Sequence, residues 1–422
     1  MSNTPRRTLF LVLVLGFNFW AGSTLQVLSQ ARRQPPSSDQ KKNKRPDPAQ
    51  QTEEKKPDPL PPDIAGKQQE AEKLSVTTNL VNVDAVVYNK KTGQPQINLK
   101  QGNFTIFVDG VKKDITNFAT PEAPITVSLV VEYSKLAETL GFYGSSGMEA
   151  GQLEVIRPTA MFLSQFIKPE DYVSVIAYDM RPTPLTDFTN DPNRIQQVIS
   201  LLLHNTPAFS DSNLYDALKL TLVGGHGDAV VLEDAKQRKM DYAGMVAVPG
   251  GRRKAVLLVA SGIDTFSKIN MDQARKIVQN SGIPIYIIGT GQLFAKKFGD
   301  SMDPGRGSNI RGIPVDRMTF LQADNTMKTF AKESGGAFYP VTFEGELPEV
   351  LGSINALLRS QYSLGFKPDD VADGKSHKIV VKVDVDGDGQ YDDKAYAVRA
   401  REVYNAPKSE AAATGKTGGE KQ

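Results

Sequence analysis

The sequence contains no cysteine, and among its 422 residues there are only three histidines and one tryptophan. Without cysteine there can be no disulfides, thiol nucleophiles or thiolate metal sites. His204, His226 and His377 are far apart in the sequence, so a zinc site or a serine–histidine–aspartate triad would need distant segments to converge. The 50 basic residues nearly balance the 48 acidic ones, and a net charge of +2 gives no sign of nucleic-acid binding.

The N-terminus has the pattern of a secretory signal. Arg6 and Arg7 precede the apolar run LFLVLVLGFNFWAG, and small residues follow it. We therefore predict that residues 1–31 are a signal peptide. An uncleaved anchor is the alternative, because weak apolar character extends to Leu28. In both cases we expect a secreted, periplasmic or cell-surface protein with no other membrane insertion.

Two segments have the composition of disordered chain. Residues 32–73 are rich in proline, glutamine and lysine and contain almost no apolar residues, which predicts an extended, disordered linker. Residues 406–422 are predicted to be a similar disordered tail.

The segments next to these are predicted to be β-structure. Residues 74–122 alternate apolar and polar side chains and contain Asp109-Gly110, a pair typical of a tight hairpin turn. Residues 361–405 return to the same alternation after a long interval. Neither segment is large enough to be stable alone, so we predict that they pack together as one small all-β sandwich.

The intervening residues, 123–360, are predicted to be an α/β domain inserted in, or flanked by, that sandwich. Continuous apolar runs such as ITVSLVVE are typical of strands buried on both faces, and they alternate with segments of helical periodicity. This pattern predicts a doubly wound, mostly parallel sheet. Two glycine-containing stretches, 224–251 and 291–320, are read as long loops that are either binding surface or mobile.

The segments LVVEYS, SDSNLYDALKL, RRKAVLLVASGIDTFSK and IPIYIIGTG resemble those of a von Willebrand factor type A (VWA) domain. The flanks NLVNVDAVVYNKKTGQP, NFTIFVDGVKKDITNF and RSQYSLGFKP resemble the VWA-related group found mainly in acidobacterial genomes. The resemblance covers residues 74–404. It implies a VWA-like, Rossmann-like sheet and a role in protein–protein or matrix contacts with an unknown partner.

The resemblance also implies a position for a metal site. In VWA domains, Asp-x-Ser-x-Ser, a threonine and a later aspartate hold one divalent cation, usually Mg²⁺. The corresponding positions here are Glu132, Ser134, Leu136, Ser212 and Ser261. Because a hard cation takes six or more oxygen ligands, this set predicts a degenerate adhesion site at which Mg²⁺ is doubtful.

Nearby acidic residues keep a second interpretation open. Asp211, Asp216 and Asp264 could supply replacement carboxylates in a rebuilt metal site, which an envelope enzyme or enzyme-complex subunit would use. A purely structural scaffold is a third possibility. No catalytic or organic-cofactor site assembles from the sequence, so we predict a binding protein and not an enzyme.

A candidate calcium loop is independent of the resemblance. Asp384, Asp386 and Asp388 occupy alternate positions in the segment 384–393, a glycine follows, and Asp392 comes at the ninth position. Calcium loops use this spacing, but the expected glutamate at position twelve is an alanine here and no helices are predicted beside the loop. The alternative is an acidic turn that joins two strands.

Overall fold

The computed structural model describes residues 80–135, 137, 150–205, 207–231, 236–249, 252–293, 308–310, 313–369 and 373–406. The predicted signal peptide (1–31), the predicted linker (32–73) and all but the first residue of the predicted tail (406–422) lie outside these residues. In the part that is described, no helix has both the length and the apolar character to cross a membrane.

The helices and strands are numbered here in chain order. The helices are α1 (Ala150–Gln165), α2 (Pro192–His204), α3 (Leu214–Val223), α4 (Met271–Ser281), α5 (Arg317–Ser334) and α6 (Leu347–Arg359). The strands of the first half are β1 (Val81–Asn89), β2 (Phe104–Val108), β3 (Val111–Lys113), β4 (Ile115–Ala119), β5 (Ile125–Glu132), β6 (Tyr172–Tyr178), β7 (Pro182–Thr189), β8 (Gly225–Val231) and β9 (Lys236–Tyr242). Those of the second half are β10 (Arg253–Ala260), β11 (Ile285–Gly289), β12 (Ser308–Ile310), β13 (Ile313–Val315), β14 (Ala337–Pro340), β15 (Tyr362–Phe366), β16 (Ser376–Val383), β17 (Tyr396–Ala400) and β18 (Val403–Asn405).

A six-stranded sheet of order β14-β11-β10-β5-β6-β7 forms the centre of the α/β part. The first five strands in this order run parallel, and all eight residues of β5 are buried. One face of the sheet shares a core with α1, α2 and α6, and the other face shares a core with α3, α4 and α5. The prediction of a mostly parallel, doubly covered sheet is confirmed.

The edge strand β7 is antiparallel to β6 and was not predicted from the sequence. Pro182 and Pro184 lie within it, and proline normally argues against a strand because it has no N–H to donate. At the edge of a sheet one side of the strand needs no partner, so these prolines are tolerated there.

The segment 224–251 is largely a hairpin and not a long loop. β8 pairs with β9 from Gly225 opposite Tyr242 to Val231 opposite Lys236, and β8 lies against β7. Tyr242 is buried, and its hydroxyl lies 2.7 Å from Ser174 Oγ in the sheet core. This tyrosine therefore anchors the hairpin to the main sheet.

The segment 291–320 also contains more structure than the sequence predicted. The helix α5 begins at Arg317, inside the segment that the sequence analysis read as a loop. The Asp316 carboxylate accepts a hydrogen bond of 2.7 Å from the Thr319 N–H, and the Thr319 hydroxyl in turn accepts from the Asp316 N–H. This reciprocal cap extends the helix into the predicted loop.

The remaining described strands include two four-stranded antiparallel sheets, β17-β1-β15-β4 and β18-β16-β2-β3. The N-terminal and C-terminal segments share both, since β1 pairs with β15 and β17, and β2 pairs with β16. Asp109 and Gly110 have φ values of 49° and 85° and form the predicted turn between β2 and β3. The two sheets contribute to one cluster of buried side chains: Val83, Ala85, Val87, Leu99, Phe104, Ile106, Val108, Tyr362, Leu364, Phe366, Ile379, Val383, Tyr404 and Ala406.

Candidate functional site

The sequence-predicted metal positions meet at the C-terminal edge of the six-stranded sheet. β5 and β10 are parallel neighbours, so their last residues, Glu132 and Ala260, end at the same edge, and Ser261 follows directly. Ser212 lies two residues before α3. Carboxyl ends of parallel strands are where open α/β sheets bind ligands.

The Glu132 carboxylate is completely buried and is bonded on both oxygens. Its Oε2 accepts a hydrogen bond of 2.6 Å from the Ser261 N–H, and its Oε1 accepts one of 3.2 Å from the Ser134 hydroxyl. The Ser134 oxygen in turn accepts a bond of 2.9 Å from the Ala137 N–H. Burial raises the pKa of the Glu132 carboxyl, and these neutral donors oppose the shift.

Two buried hydroxyls accompany Glu132. Tyr178, at the end of β6, is opposite Glu132 in the strand register. The hydroxyls of Tyr178 and Ser212 have no hydrogen-bond partner of good geometry among the described residues. Ser212 nevertheless lowers the pKa of both Glu132 and Tyr178, so its side chain lies near them. Burial and the charges of Glu132 and Asp264 raise the pKa of Tyr178 well above its usual value. Tyr178 was missed from the sequence because its run of apolar neighbours indicated only a buried strand.

The candidate replacement carboxylates hold loops and helix ends. Asp264 Oδ1 accepts hydrogen bonds of 2.9 Å from the Leu214 N–H and 2.5 Å from the Ser267 hydroxyl, which caps the start of α3. Burial raises the pKa of Asp264, and the bond from Ser267 opposes this. Asp216 accepts from the Lys268 N–H at 2.9 Å, and Asp211 makes one long contact of 3.4 Å with the Thr265 hydroxyl. These residues connect the segment after β10 to α3.

Three exposed phenylalanines lie in the segments that surround this edge. Phe209, Phe266 and Phe343 are 39%, 51% and 57% exposed. The Phe209 carbonyl accepts a bond of 2.7 Å from the Lys135 N–H, just beyond β5, and the Phe266 N–H donates one of 3.1 Å to the Ser212 carbonyl. Phe343 follows the C-terminal end of β14. We call these three side chains the apolar rim.

The acidic segment 384–393 is a separate site. Its three alternating carboxylates, Asp384, Asp386 and Asp388, bring oxygens within 4.8 Å of one another, which no other group of three such ligands does among the described residues. Asp384 accepts from the Gly387 N–H at 2.7 Å and from the Gly389 N–H at 2.8 Å. The N–H groups of Gly387 and Gly389 thus hold the loop closed around the Asp384 carboxylate.

The ends of that segment belong to different sheets. Val383 ends β16, and β17, which begins at Tyr396, lies in the other four-stranded sheet. The segment therefore joins two strands of different sheets, and the predicted alternative of an acidic turn between two strands stays open. The Asp392 carboxylate holds the crossing closed by accepting a bond of 2.7 Å from the Val385 N–H.

Of the three histidines, His377 is the one whose side chain belongs to the described part of the structure. Its Nδ1 lies 2.8 Å from Asp109 and its Nε2 3.2 Å from Asp373, and the hydrogen bond to Asp109 raises its pKa. It belongs to β16, in a four-stranded sheet and not at the edge that carries Glu132. The side chains of His204 and His226 lie outside the described part.

The sequence matches no protein-family model and no curated protein. Among solved structures, an aerotolerance-related membrane protein from Bacteroides fragilis matches at 15% identity and a TM-score of 0.35, over 56% of this chain and 98% of that one. BatB from Bacteroides thetaiotaomicron matches at 13% identity and a TM-score of 0.34, over 56% and 100%. The von Willebrand factor domain of the type V pili tip protein Mfa5 from Porphyromonas gingivalis matches at 13% identity and a TM-score of 0.34, over 55% and 95%. The third of these belongs to the family that the sequence resembles, but similarities at this level establish neither a shared fold nor a function.

Proposed function

We propose that the chain is a VWA-like binding module of the cell envelope or the extracellular space that contacts a protein or matrix partner without an adhesion-site metal. The observation that carries the proposal is the apolar rim at the ligand-bearing edge of the sheet. Phenylalanine is enriched in the buried centres of protein interfaces, and all three of these side chains are at least 39% exposed in segments around one end of the sheet.

The side chains at this edge do not fit an Mg²⁺ ion. Both Glu132 oxygens are already hydrogen-bonded, and Asp264 Oδ1 accepts from the start of α3. The second serine position is Leu136, which offers no side-chain oxygen. A magnesium site needs near-octahedral oxygen ligands, so we propose that the buried Glu132 and its donors replace the ion as the organiser of the surrounding loops.

Three further features belong to the same proposal. The two four-stranded sheets would form one β-sandwich from which the α/β part emerges, because their buried side chains form a single cluster. The signal-like N-terminus would deliver the module to the envelope or beyond it. Calcium at 384–393 would stiffen the crossing between β16 and β17, where three carboxylates converge.

Site-specific photo-crosslinking in the producing cell tests the proposal. A photoreactive residue would replace Phe266 or, as the matched control, Val111, which is 58% exposed on β3. We expect position 266 and not position 111 to crosslink to one partner. Binding of that purified partner should weaken by about tenfold or more in a Phe209→Ser/Phe266→Ser/Phe343→Ser variant and should persist in a metal chelator. Equal crosslinking from both positions, or binding that the chelator abolishes, would contradict the proposal.

A rebuilt metal site in an enzyme is the second candidate, and the unpartnered hydroxyls of Tyr178 and Ser212 favour it. Titration with Mg²⁺ separates the two functions. Magnesium binding that is lost in Glu132→Gln and retained in Asp386→Ala would favour the metal site. If rim crosslinking and magnesium binding are both absent, the third alternative, a structural scaffold, is favoured. The absence of enzymatic activity remains a prediction.

A further inference from the structure

A cavity of 600 Å³ lies at the opposite end of the six-stranded sheet, where β10 begins. Its walls come from β1, β4 and β15, from the end of α4 and from the segment around β18. It therefore lies where the α/β part meets the two four-stranded sheets. Its volume is in the range of cavities that enclose small organic ligands.

The charged residues that line this cavity are all basic: Arg252, Lys254 and Arg401. Arg401 is only 5% exposed. Its Nε donates a hydrogen bond of 3.2 Å to the Val403 carbonyl, and its Nη1 donates one of 3.3 Å to the Asn82 carbonyl. No described residue accepts from its Nη2, so this buried guanidinium keeps donors free at the cavity wall.

Lys254 adds a second cation, and its ammonium donates to the Val248 carbonyl. Burial lowers the pKa of Lys254 to about 8 and that of Arg401 to about 10, and the charge of Asp84 opposes both shifts. Asp84 also acts on the buried Arg253, so this one carboxylate faces more than one buried cation and leaves an excess of positive charge. Buried charges are normally paired, so the cavity has the electrostatics of an anion site.

Gly282 makes room for the Arg401 side chain. A Cβ atom at Gly282, just after α4, would lie 2.1 Å from Arg401 Nη1. The glycine leaves the space that the guanidinium occupies, and the bonds to the Val403 and Asn82 carbonyls hold the guanidinium there. Such preorganisation lowers the entropic cost of binding.

We propose that this cavity binds a small organic anion whose carboxylate or phosphate group is held by Arg401 and Lys254. The apolar part of the ligand would lie against Phe118, Ile283 and Tyr404, which also line the cavity. This inference does not depend on partner binding at the apolar rim.

Calorimetric titration of the full-length chain with benzoate and with phenyl phosphate tests the inference, with benzyl alcohol as the neutral control. We expect at least one anion to bind with a dissociation constant in the millimolar range, as is usual for ligands of this size, and benzyl alcohol not to bind. If both anions bind, they should compete, and the tighter one identifies the preferred anionic group. No binding by either anion, or equal binding of benzyl alcohol, would overturn the proposal.

Substitutions of residues that line the cavity test whether the anion binds there. Lys254→Met and Arg401→Gln should each weaken the anion by about tenfold or more, since each removes a charge-assisted hydrogen bond. Because both residues are buried, Val246→Trp provides a test that leaves the core intact: Val246 lines the cavity and is 52% exposed, so an indole there should obstruct it. Lys219→Met, on the exposed side of α3, should bind as the wild type does. Wild-type affinity in both Val246→Trp and Lys254→Met would overturn the assignment.

Discussion

Glu132 and Asp84 are both almost completely buried carboxylates, but their surroundings differ. Glu132, at the C-terminal edge of the sheet, receives one neutral donor on each oxygen. Asp84 accepts a bond of 3.2 Å from the Asn82 amide on Oδ1, whereas its Oδ2 has no partner among the described residues. Ser363 and Gln361 also lower the pKa of Asp84, and the charge of Asp84 acts on Lys254 and Arg401.

This difference indicates different roles. Each Glu132 oxygen accepts a hydrogen bond from a neutral donor in a neighbouring loop, so we expect Glu132 to help organise these loops. Asp84 interacts in addition with the charge of Lys254, and we expect one carboxylate to balance only part of the charge of Lys254 and Arg401. We therefore expect structural effects when Glu132 is changed, and effects on charge balance and ligand binding when Asp84 or its cations are changed.

Glu132→Ala should give the largest loss of stability, about 4 kcal/mol. It leaves a buried cavity and removes the acceptor of the Ser261 N–H, and both effects are costly. Chemical denaturation of the wild type and the variant measures this loss. Asp211→Ala is the control and should change stability little, because the Asp211 side chain makes one long contact. Equal stability of Glu132→Ala and the wild type would mean that Glu132 does not organise the edge.

Asp84 should make stability depend on pH. Burial raises the pKa of Asp84 from its ordinary value of 3.8 to about 6. The folded state therefore binds this proton more tightly than the unfolded state, and the free energy of unfolding should rise as the pH falls from 7 to 4. A difference of about two pKa units corresponds to about 3 kcal/mol.

The difference in stability between the wild type and Asp84→Asn, measured across this pH range, isolates that contribution. In the wild type Lys254 stays protonated over this range, because its folded-state pKa is about 8. Asp84→Asn removes the charge that raises this pKa, so the comparison is read at the acidic end of the range. We expect the wild type to gain stability relative to Asp84→Asn on acidification. A difference that does not vary with pH would show that Asp84 is not held as an unfavourable charge.

Unlike Glu132 and Asp84, the carboxylates at 384–393 are reached by water. Calcium should bind with a dissociation constant of about 10⁻⁴–10⁻³ M and, at about ten times that concentration, stabilise the fold by about 1.4 kcal/mol. Thermal unfolding with and without calcium measures this effect, and Asp386→Ala/Asp388→Ala should abolish it. If the double variant responds to calcium as the wild type does, the ion binds elsewhere.

Substitutions in the apolar rim should have the smallest effect on stability. Each of Phe209→Ser, Phe266→Ser and Phe343→Ser should change the free energy of unfolding by no more than about 0.5 kcal/mol, because the rings are already exposed to water. Denaturation of each single variant checks this. A loss of about 2 kcal/mol would instead assign that phenylalanine to the core.

The sequence predicted the regular parts of this molecule because their signals are local. The run ITVSLVVE predicted a buried strand, and Asp109-Gly110 predicted a hairpin turn; the structure has both. The hairpin of β8 and β9 was missed, since its glycines and charges indicate a loop and its anchor, Tyr242, is bonded to residues distant in sequence. β7 was missed because its prolines are acceptable only at a sheet edge.

The sequence by itself determined which residues reach the C-terminal edge of the parallel sheet, because local patterns of apolar residues mark where each strand ends. Only the tertiary structure decided that both Glu132 oxygens are taken by Ser134 and Ser261, and that Lys254 and Arg401, 147 positions apart, line one cavity. Hydrogen-bond partners and buried charge depend on which segments meet in space, and no local pattern contains that information.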